Sequence, residues 1–507
     1  MERKWWTLVA ACVATFMLLL DITVVNVALP DIQRDLDASL SSLQWVVDAY
    51  ALTLAAFLLT TGSLGDRLGR RRVFNTGFGV FTVASLLCGI AGDATLLNLA
   101  RGLQGIGAAA MFSTALALIA QEFEGRERAT AIGAWGATVG GAVAVGPLIG
   151  GLLTEGFGWE WIFFANVPIG IGAMILTATK LVNVRATEAV PIDWAGLVTF
   201  SGGLFLLIFG LIRGNPEGWS SAVIVGSLVG AGVFLVAFLV VEARQEHAML
   251  DLSLFRKPAF GGVSAVAWAL SAGMFAMFLY ITLYVQDVLG YSPLEAGVRF
   301  LPITLLSFFV APIAGRLTGR VPARVLLGLG LVLVGVGLLL MRGIEPGDDW
   351  TTLLPGFLVA GVGIGFTNPA IASTALGVVA PFRAGMASGI NSTFRQVGIA
   401  TGVAALGAIF QSRIEARLVE LLPNASAGLS EAVAAGGGRA AAEAVPPGNR
   451  AQVADAANQA FISGLNDILL VGAAIAIVGG IVGFALVRSR DFVQQPGGEA
   501  AAEPAAA

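Results

Sequence analysis

Gly62-Ser63-Leu64-Gly65-Asp66-Arg67-Leu68-Gly69-Arg70-Arg71-Arg72-Val73 is a short basic hinge with an apolar run on either side. The runs Leu43 to Thr61 and Val73 to Ala91 are each long enough, as helices, to cross about 30 Å of hydrocarbon. The hinge therefore reads as a turn at a membrane surface. Its glycines at 62, 65 and 69 let two helices and their connection approach closely without steric cost. Four arginines, at 67, 70, 71 and 72, place it on the cytoplasmic side by the positive-inside bias. Asp66 ends one helix, where it can pair with those arginines or face the N-terminus of a neighbour.

Composition agrees with that reading. The chain has 507 residues, 56% hydrophobic and 12% charged, whereas soluble domains carry roughly a quarter charged residues. This implies a multi-span, all-α membrane protein in contact with a lipid bilayer. The 66 glycines suit tightly packed membrane helices. The net charge of −4 is sorted by side rather than pooled, so no basic face points to nucleic acid. Cys12 and Cys88 lie in apolar runs and read as structural, without a disulfide. The single histidine, His247, falls in a polar connector, so neither a histidine relay, a metal site nor a cofactor is expected. Arg3 and Lys4 precede an apolar stretch from Thr7 to Leu29 that lacks a small-x-small cleavage pattern, and this stretch reads as a retained first span.

Runs of spanning length recur fourteen times, and most of the 29 Lys and Arg fall on connections that this count places inside. Both termini are then cytoplasmic. Residues 1–182 and 259–490 each hold six spans, while 183–258 holds two extra spans and a cytoplasmic linker. Residues 411–463, rich in alanine and glycine and broken by Pro446-Pro447, read as a long extracellular loop whose alanine-rich parts can be helical, and 491–507 as a disordered tail. Gly315-Arg316-Leu317-Thr318-Gly319-Arg320 repeats the offsets of Gly62 to Arg67, as a duplicated half would, with Gly319 in place of Asp66.

Charges inside spans are costly and mark function by default. Asp21 is foremost, since a carboxylate in a low dielectric favours its protonated form unless a cation compensates. The alternative role is a helix-packing hydrogen bond. Arg101 lies at a similar depth in the fourth span with Gln104 on the same face, and can hold a carboxylate ionised. Asp48 competes as the proton site, as the partner of Arg101, or as a residue of the lipid interface. The fifth span carries Gly136, Gly140, Gly141, Gly146, Pro147, Gly150 and Gly151, so it is kinked and offers close approach to the other half. Aromatics and methionines such as Met274, Phe275, Met277, Phe278 and Tyr280 suit either a pocket or packing.

The hinge resembles the G-x-L-x-D-R-x-G-R-[RK] signature between helices 2 and 3 of the major facilitator superfamily. Leu20 to Pro30 resembles the L-D-x-T-[IV]-[VI]-N-V-A-L-P motif of its fourteen-span drug/proton antiporters. Arg101 to Ala108 is similar to R-x-x-Q-G-x-G-[AG], and the fifth span to the antiporter motif G-x-x-x-G-P-x-x-G-G. Trp159 to Gly170 and Thr393-Phe394-Arg395-Gln396-Val397-Gly398 match further segments of that family, with Glu160 where arginine is frequent.

The resemblance implies a major facilitator fold of two six-helix halves plus two extra central helices, rocking as a monomer around a central cavity. It also implies proton-coupled export of small hydrophobic or cationic drugs across the cytoplasmic membrane. Proton coupling falls to Asp21, Asp48 and Arg101, and gating to Gly62, Asp66, Arg67, Gly69 and Arg70 and to Gly140, Gly146, Pro147, Gly150 and Gly151. Asn26, Gln104 and Arg395 are placed in the substrate cavity. A dedicated exporter of one metabolite or antibiotic would share these motifs, while a proton-coupled importer fits the fifth span less well. Nothing in the chain suggests the nucleophile–base pair or metal ligands of an enzyme.

Overall fold

The computed structural model describes residues 2–493 except 39, 183–191, 246–247, 319, 381–382 and 424–426. At 26, 30, 40, 41, 126, 143, 144, 147, 216, 293 and 427 only the backbone is described. His247, Gly319 and the tail from 494 thus lie outside the described residues, as do the side chains of Asn26 and Pro147.

Fourteen long helices make up the described residues: α1 (Arg3–Asp35), α2 (Leu40–Leu68), α3 (Arg70–Gly89), α4 (Ala94–Glu122), α5 (Gly125–Phe157), α6 (Trp161–Lys180), α7 (Trp194–Glu217), α8 (Ala222–Arg244), α9 (Pro258–Val288), α10 (Pro293–Leu317), α11 (Ala323–Leu340), α12 (Leu354–Gly377), α13 (Ala384–Leu421) and α14 (Arg450–Leu486). Twelve of them are long and apolar enough to cross a membrane. The two others are α3, which opens on Arg70-Arg71-Arg72, and α5, whose apolar part Leu148–Phe157 is short. Both are packed into the bundle, α3 on α4 and α5 between α1 and α10. Local chemistry sets several boundaries. Asp93 accepts from the amides of Thr95 and Leu96 (2.8 and 2.9 Å) to open α4, and Ser292 with Glu295 forms a capping box at α10. Gly69 turns the hinge with φ 103°, a backbone that favours glycine.

Consecutive helices alternate in direction, which gathers the basic connections at one end. Arg3 reaches Glu122 (3.3 Å), Lys4 reaches Glu127 (2.8 Å), and the Val493 amide donates to Gly377 (2.9 Å). Starts of α1 and α5 and ends of α4, α12 and α14 therefore share one end of the bundle, the basic end. At the opposite end the Trp159 indole donates to Asp35 (2.9 Å).

Helices α1–α6 and α9–α14 meet along two seams, α2 against α13 and α5 against α10. At the first, a Cβ on Gly62 would fall on the Gly385 carbonyl, so these backbones touch only because both residues are glycine. At the second, Gly315 lies in the same way against Gly133 and the Ala129 carbonyl. The two copies of the hinge sequence thus occupy equivalent places, each ending the second helix of its half against the fifth helix of the other. Only the first copy carries a carboxylate.

Helices α7 and α8 pack on each other, and α7 lies along α2 and α13. Phe200, Leu204 and Ile208 of α7 join an apolar cluster with Leu52, Ala55 and Leu59 of α2, and the Thr60 and Ser201 hydroxyls are 2.9 Å apart. The far side of α8 turns Val229, Val233 and Val236 outward, each more than 60% exposed (62, 63 and 61%). Such a stripe suits hydrocarbon rather than water.

The segment 411–463, whose alanine-rich parts the sequence allows to be helical, is mostly helical among its described residues. Helix α13 runs on to Leu421, α14 begins at Arg450, and short helices Ala427–Ala434 and Gly438–Glu443 lie between. Alanine favours helix, and an apolar seam continues outward, with the Phe410 and Phe461 rings 5.0 Å apart and Ile414 and Leu418 buried. At ~1.5 Å per residue the 38 residues of α13 run well past a ~30 Å hydrocarbon layer.

Candidate transport site

Asp21 lies inside the first half with its side chain 1% exposed, ion-paired to Arg101, also 1% exposed. Helical spacing sets Arg101 and Gln104 on one face of α4, and Gly105 lets that face reach the α2 backbone at Tyr50. The Gln104 amide donates to Asp21 Oδ1 (2.8 Å) and to the Ser85 hydroxyl (2.8 Å), and Asn166 of α6 donates to the same Oδ1 (3.2 Å). Arg101 Nε donates to the Val46 carbonyl (2.9 Å) and Nη1 to Gln104 Oε1 (2.6 Å). The guanidinium stacks over the Tyr50 ring, 4.4 Å from its centre. Every charge in this dry cluster is paired and hydrogen-bonded, the condition under which a buried ion pair persists.

Of the three roles open to Asp48, pairing with Arg101 is excluded. Its cation is Arg213 of α7, 3.8 Å away, which also donates to Gln44 (3.0 Å) and Glu217 (2.8 Å). Gln104 belongs to the Asp21 cluster and is wholly buried rather than on an open cavity wall. The fifth-span glycines divide. Gly133, Gly136 and Gly140 face α10 or α12 of the other half, while Gly146 and Gly150 lie against Thr23 and Val24 of α1. A residue at Gly146 would collide with the Thr23 side chain, so that glycine serves contact within one half, contrary to expectation. A Cβ on Gly151 would meet nothing within 4 Å. Asn166 lies in the Trp159 to Gly170 segment that the sequence singles out, but its part in the Asp21 cluster, like that of Ser85, is shown only by the structure.

At the basic end both alternatives for Asp66 are realised. Arg70 donates to it through Nε (3.0 Å) and Nη2 (2.9 Å), and the amides of Gly385 and Met386 at the start of α13 donate as well (3.0 and 2.8 Å). A carboxylate at a helix N-terminus is favoured by the orphan amides and the helix dipole. Arg67 donates to the Ala248 carbonyl (3.1 Å), and Arg71 to carbonyls at the end of α6 (Thr177, 3.2 Å). In the linker before α9, Asp251 pairs with Arg383. Burial there would raise its carboxyl, but hydrogen bonds from the Ser253 hydroxyl and amide and the Arg383 guanidinium outweigh it and hold the group below its usual range.

Between the halves a cavity is lined by Gly140 of α5, Phe275 and Phe278 of α9, Thr304 and Ser307 of α10 and Asn368 of α12. Met274 and Met277 are instead fully buried, and the Tyr280 hydroxyl donates to the Val403 carbonyl (2.9 Å). Ser271–Phe275 is a π-helical turn, which no feature of the sequence announced. Such turns widen a helix locally and recur at functional sites. Arg395 of α13 approaches this wall, its guanidinium 5.7 Å from the Phe275 ring centre.

Comparison with known proteins agrees with this architecture. The family model described as Major Facilitator Superfamily matches residues 11–403. The puromycin resistance protein pur8 of Streptomyces alboniger is 39% identical over 423 residues, 82% of this chain and 84% of that protein. The multidrug resistance protein Stp of Mycobacterium tuberculosis (strain CDC 1551 / Oshkosh) is 36% identical, covering 81% of this chain and 77% of its own length. The tetracenomycin C resistance and export protein of Streptomyces glaucescens is 33% identical over 95% of this chain and 91% of its own. Among solved structures, the human organic anion transporter MFSD10 (TETRAN) aligns with a TM-score of 0.64 at 14% identity, over 95% of this chain and 100% of that one, which speaks to the fold alone. With its paired six-helix halves, its buried ion pair and these relatives, the chain belongs to the major facilitator superfamily and is a multi-pass membrane transporter rather than an enzyme.

Proposed function

We propose that the protein exports hydrophobic small molecules across the cytoplasmic membrane in exchange for protons, by alternating access, with both termini and the basic end cytoplasmic and all fourteen long helices spanning. The observation that carries this reading is the sealed Asp21 cluster. Ionised, Asp21 accepts from Arg101, Gln104 and Asn166 at once. Protonated, it has a hydrogen of its own to place and no charge to hold Arg101, so the ion pair is lost and one of its oxygens turns from acceptor to donor. The cluster therefore has two arrangements, biased by one proton, on helices α1, α4 and α6 that move as one half. The Asp66 clasp and the two glycine seams then close the cytoplasmic side, with Gly62, Arg67, Gly69 and Arg70 holding the hinge and Gly140 adjoining the cavity. Gly150, Gly151 and Pro147 shape α5, and Asn26 and Arg395 are assigned to the substrate path.

The relatives' names support drug or antibiotic efflux, and those named for one compound favour a second reading, a dedicated exporter of a single antibiotic or metabolite. A substrate panel separates the two. Coupling is tested in inside-out vesicles with an acidified lumen and a luminal pH dye. Adding ethidium or another substrate is expected to release protons from wild type and not from Asp21→Asn. Equal release by both would transfer the coupling role to Asp48, and release by neither with any compound would remove antiport from the reading.

A further inference from the structure

The other arginines that enter the membrane interior with a carboxylate at hand are spoken for: Arg101 by Asp21, Arg213 by Asp48 and Arg70 by Asp66. Arg395 is the contrast. Among the described residues it forms no ion pair and no hydrogen bond, its one recorded interaction being with the Phe275 ring. Helix α13 begins at Ala384, so at ~1.5 Å per residue Arg395 lies near the middle of a ~30 Å hydrocarbon layer. An unpaired guanidinium at that depth is costly unless something else meets it.

Its neighbours are donors too. Asn391, one turn earlier on the same face of α13, is 6% exposed and its amide nitrogen has no partner. Ser271, one turn before Phe275 on α9, faces α13 at Gly398, is wholly buried, and its hydroxyl has no partner. Phe275 lines the cavity. Phe275 is thus the cavity-lining residue, with the Arg395 cation beside its ring and two unpartnered polar groups buried behind it in the α9/α13 contact, and with no carboxylate among these residues.

We propose that this α9/α13 wall is an anion-binding subsite centred on Arg395, and that the exported compound is an aromatic acid that presents its carboxylate, sulfonate or phenolate there. This deepens the export reading and rests on it. The charge balance differs from that of a cationic drug. Exchange of one monoanion outward for one proton inward carries two positive charges inward, whereas exchange of a monocation is electroneutral. The membrane potential then drives transport together with the proton gradient.

The test is equilibrium dialysis of anilinonaphthalene sulfonate against the full-length protein in nanodiscs, with empty nanodiscs subtracted and ethidium as the cationic control. Wild type is expected to bind the sulfonate. Arg395→Gln should weaken it by at least about tenfold, the scale of one lost charged hydrogen bond, Arg395→Lys should restore part, and neither change should weaken ethidium, a cation that the guanidinium can only repel. Monodisperse elution of each variant, with the lysine variant, separates this from misfolding. Equal sulfonate binding by wild type and Arg395→Gln, or none by wild type, overturns the subsite. Repeating the dialysis in chloride and in gluconate distinguishes sources, since displacement by chloride alone would mean that an inorganic anion fills the site and would overturn the substrate assignment. Ethidium-driven proton release that persists without sulfonate binding removes the subsite and leaves export standing. Arg395-dependent binding without proton-linked flux does the reverse.

Discussion

Removing Arg101 alone strands the Asp21 carboxylate where water does not reach, since both side chains are 1% exposed. Arg101→Gln is therefore expected to destabilise the protein by about 3–5 kcal/mol, and the double variant Asp21→Asn, Arg101→Gln to recover much of that, because an intact neutral pair leaves no buried charge. Thermal unfolding in detergent reads both. A single variant no less stable than the double would contradict the dry pairing. That these two residues matter was legible from the chain, because charges in apolar runs stand out. That Arg101 chooses Asp21 over Asp48 was not, since the two carboxylates sit at similar depths and only the rotation of α1 and α2 separates them.

The α2–α13 seam depends on two glycine backbones and one carboxylate. Gly62→Val would push the α13 start away from α2 and carry Gly385 and Met386 off Asp66. Met386 is only 4% exposed. A cysteine placed there is expected to react with a maleimide several-fold faster in the Gly62→Val background than without it. An unchanged rate would mean that the basic end is held by other contacts. The hinge and its repeat were readable from spacing, but which helix each copy touches was not. The glycine motif of α5 makes the same point, for its upper part serves α1 and its lower part α10, a division that depends on how a kinked helix is turned.

In the whole molecule, α7 is tied to both halves. Arg213 and Ser201 hold it to α2, while the Asn215 amide donates to the Ala404 carbonyl of α13 (3.1 Å). If the halves rock, one set must part, and the single bond to α13 is the weaker. A disulfide between cysteines at 60 and 201 is thus expected to leave transport intact, and one between 215 and 404 to block it. The reverse result would assign α7 and α8 to the second half. The sequence by itself determined the apolar runs, the sorting of basic residues, the duplicated hinge and the residues too charged to be idle, because hydropathy and charge are carried residue by residue along the chain. Tertiary structure alone decided which cations Asp21 and Asp48 pair with, which helix start Asp66 faces, that the Phe275 ring lies beside Arg395, the placing of α7 between the halves, and the apolar seam along which α13 and α14 extend. Those depend on which faces of neighbouring helices meet, and a helical repeat fixes a face without naming what lies opposite.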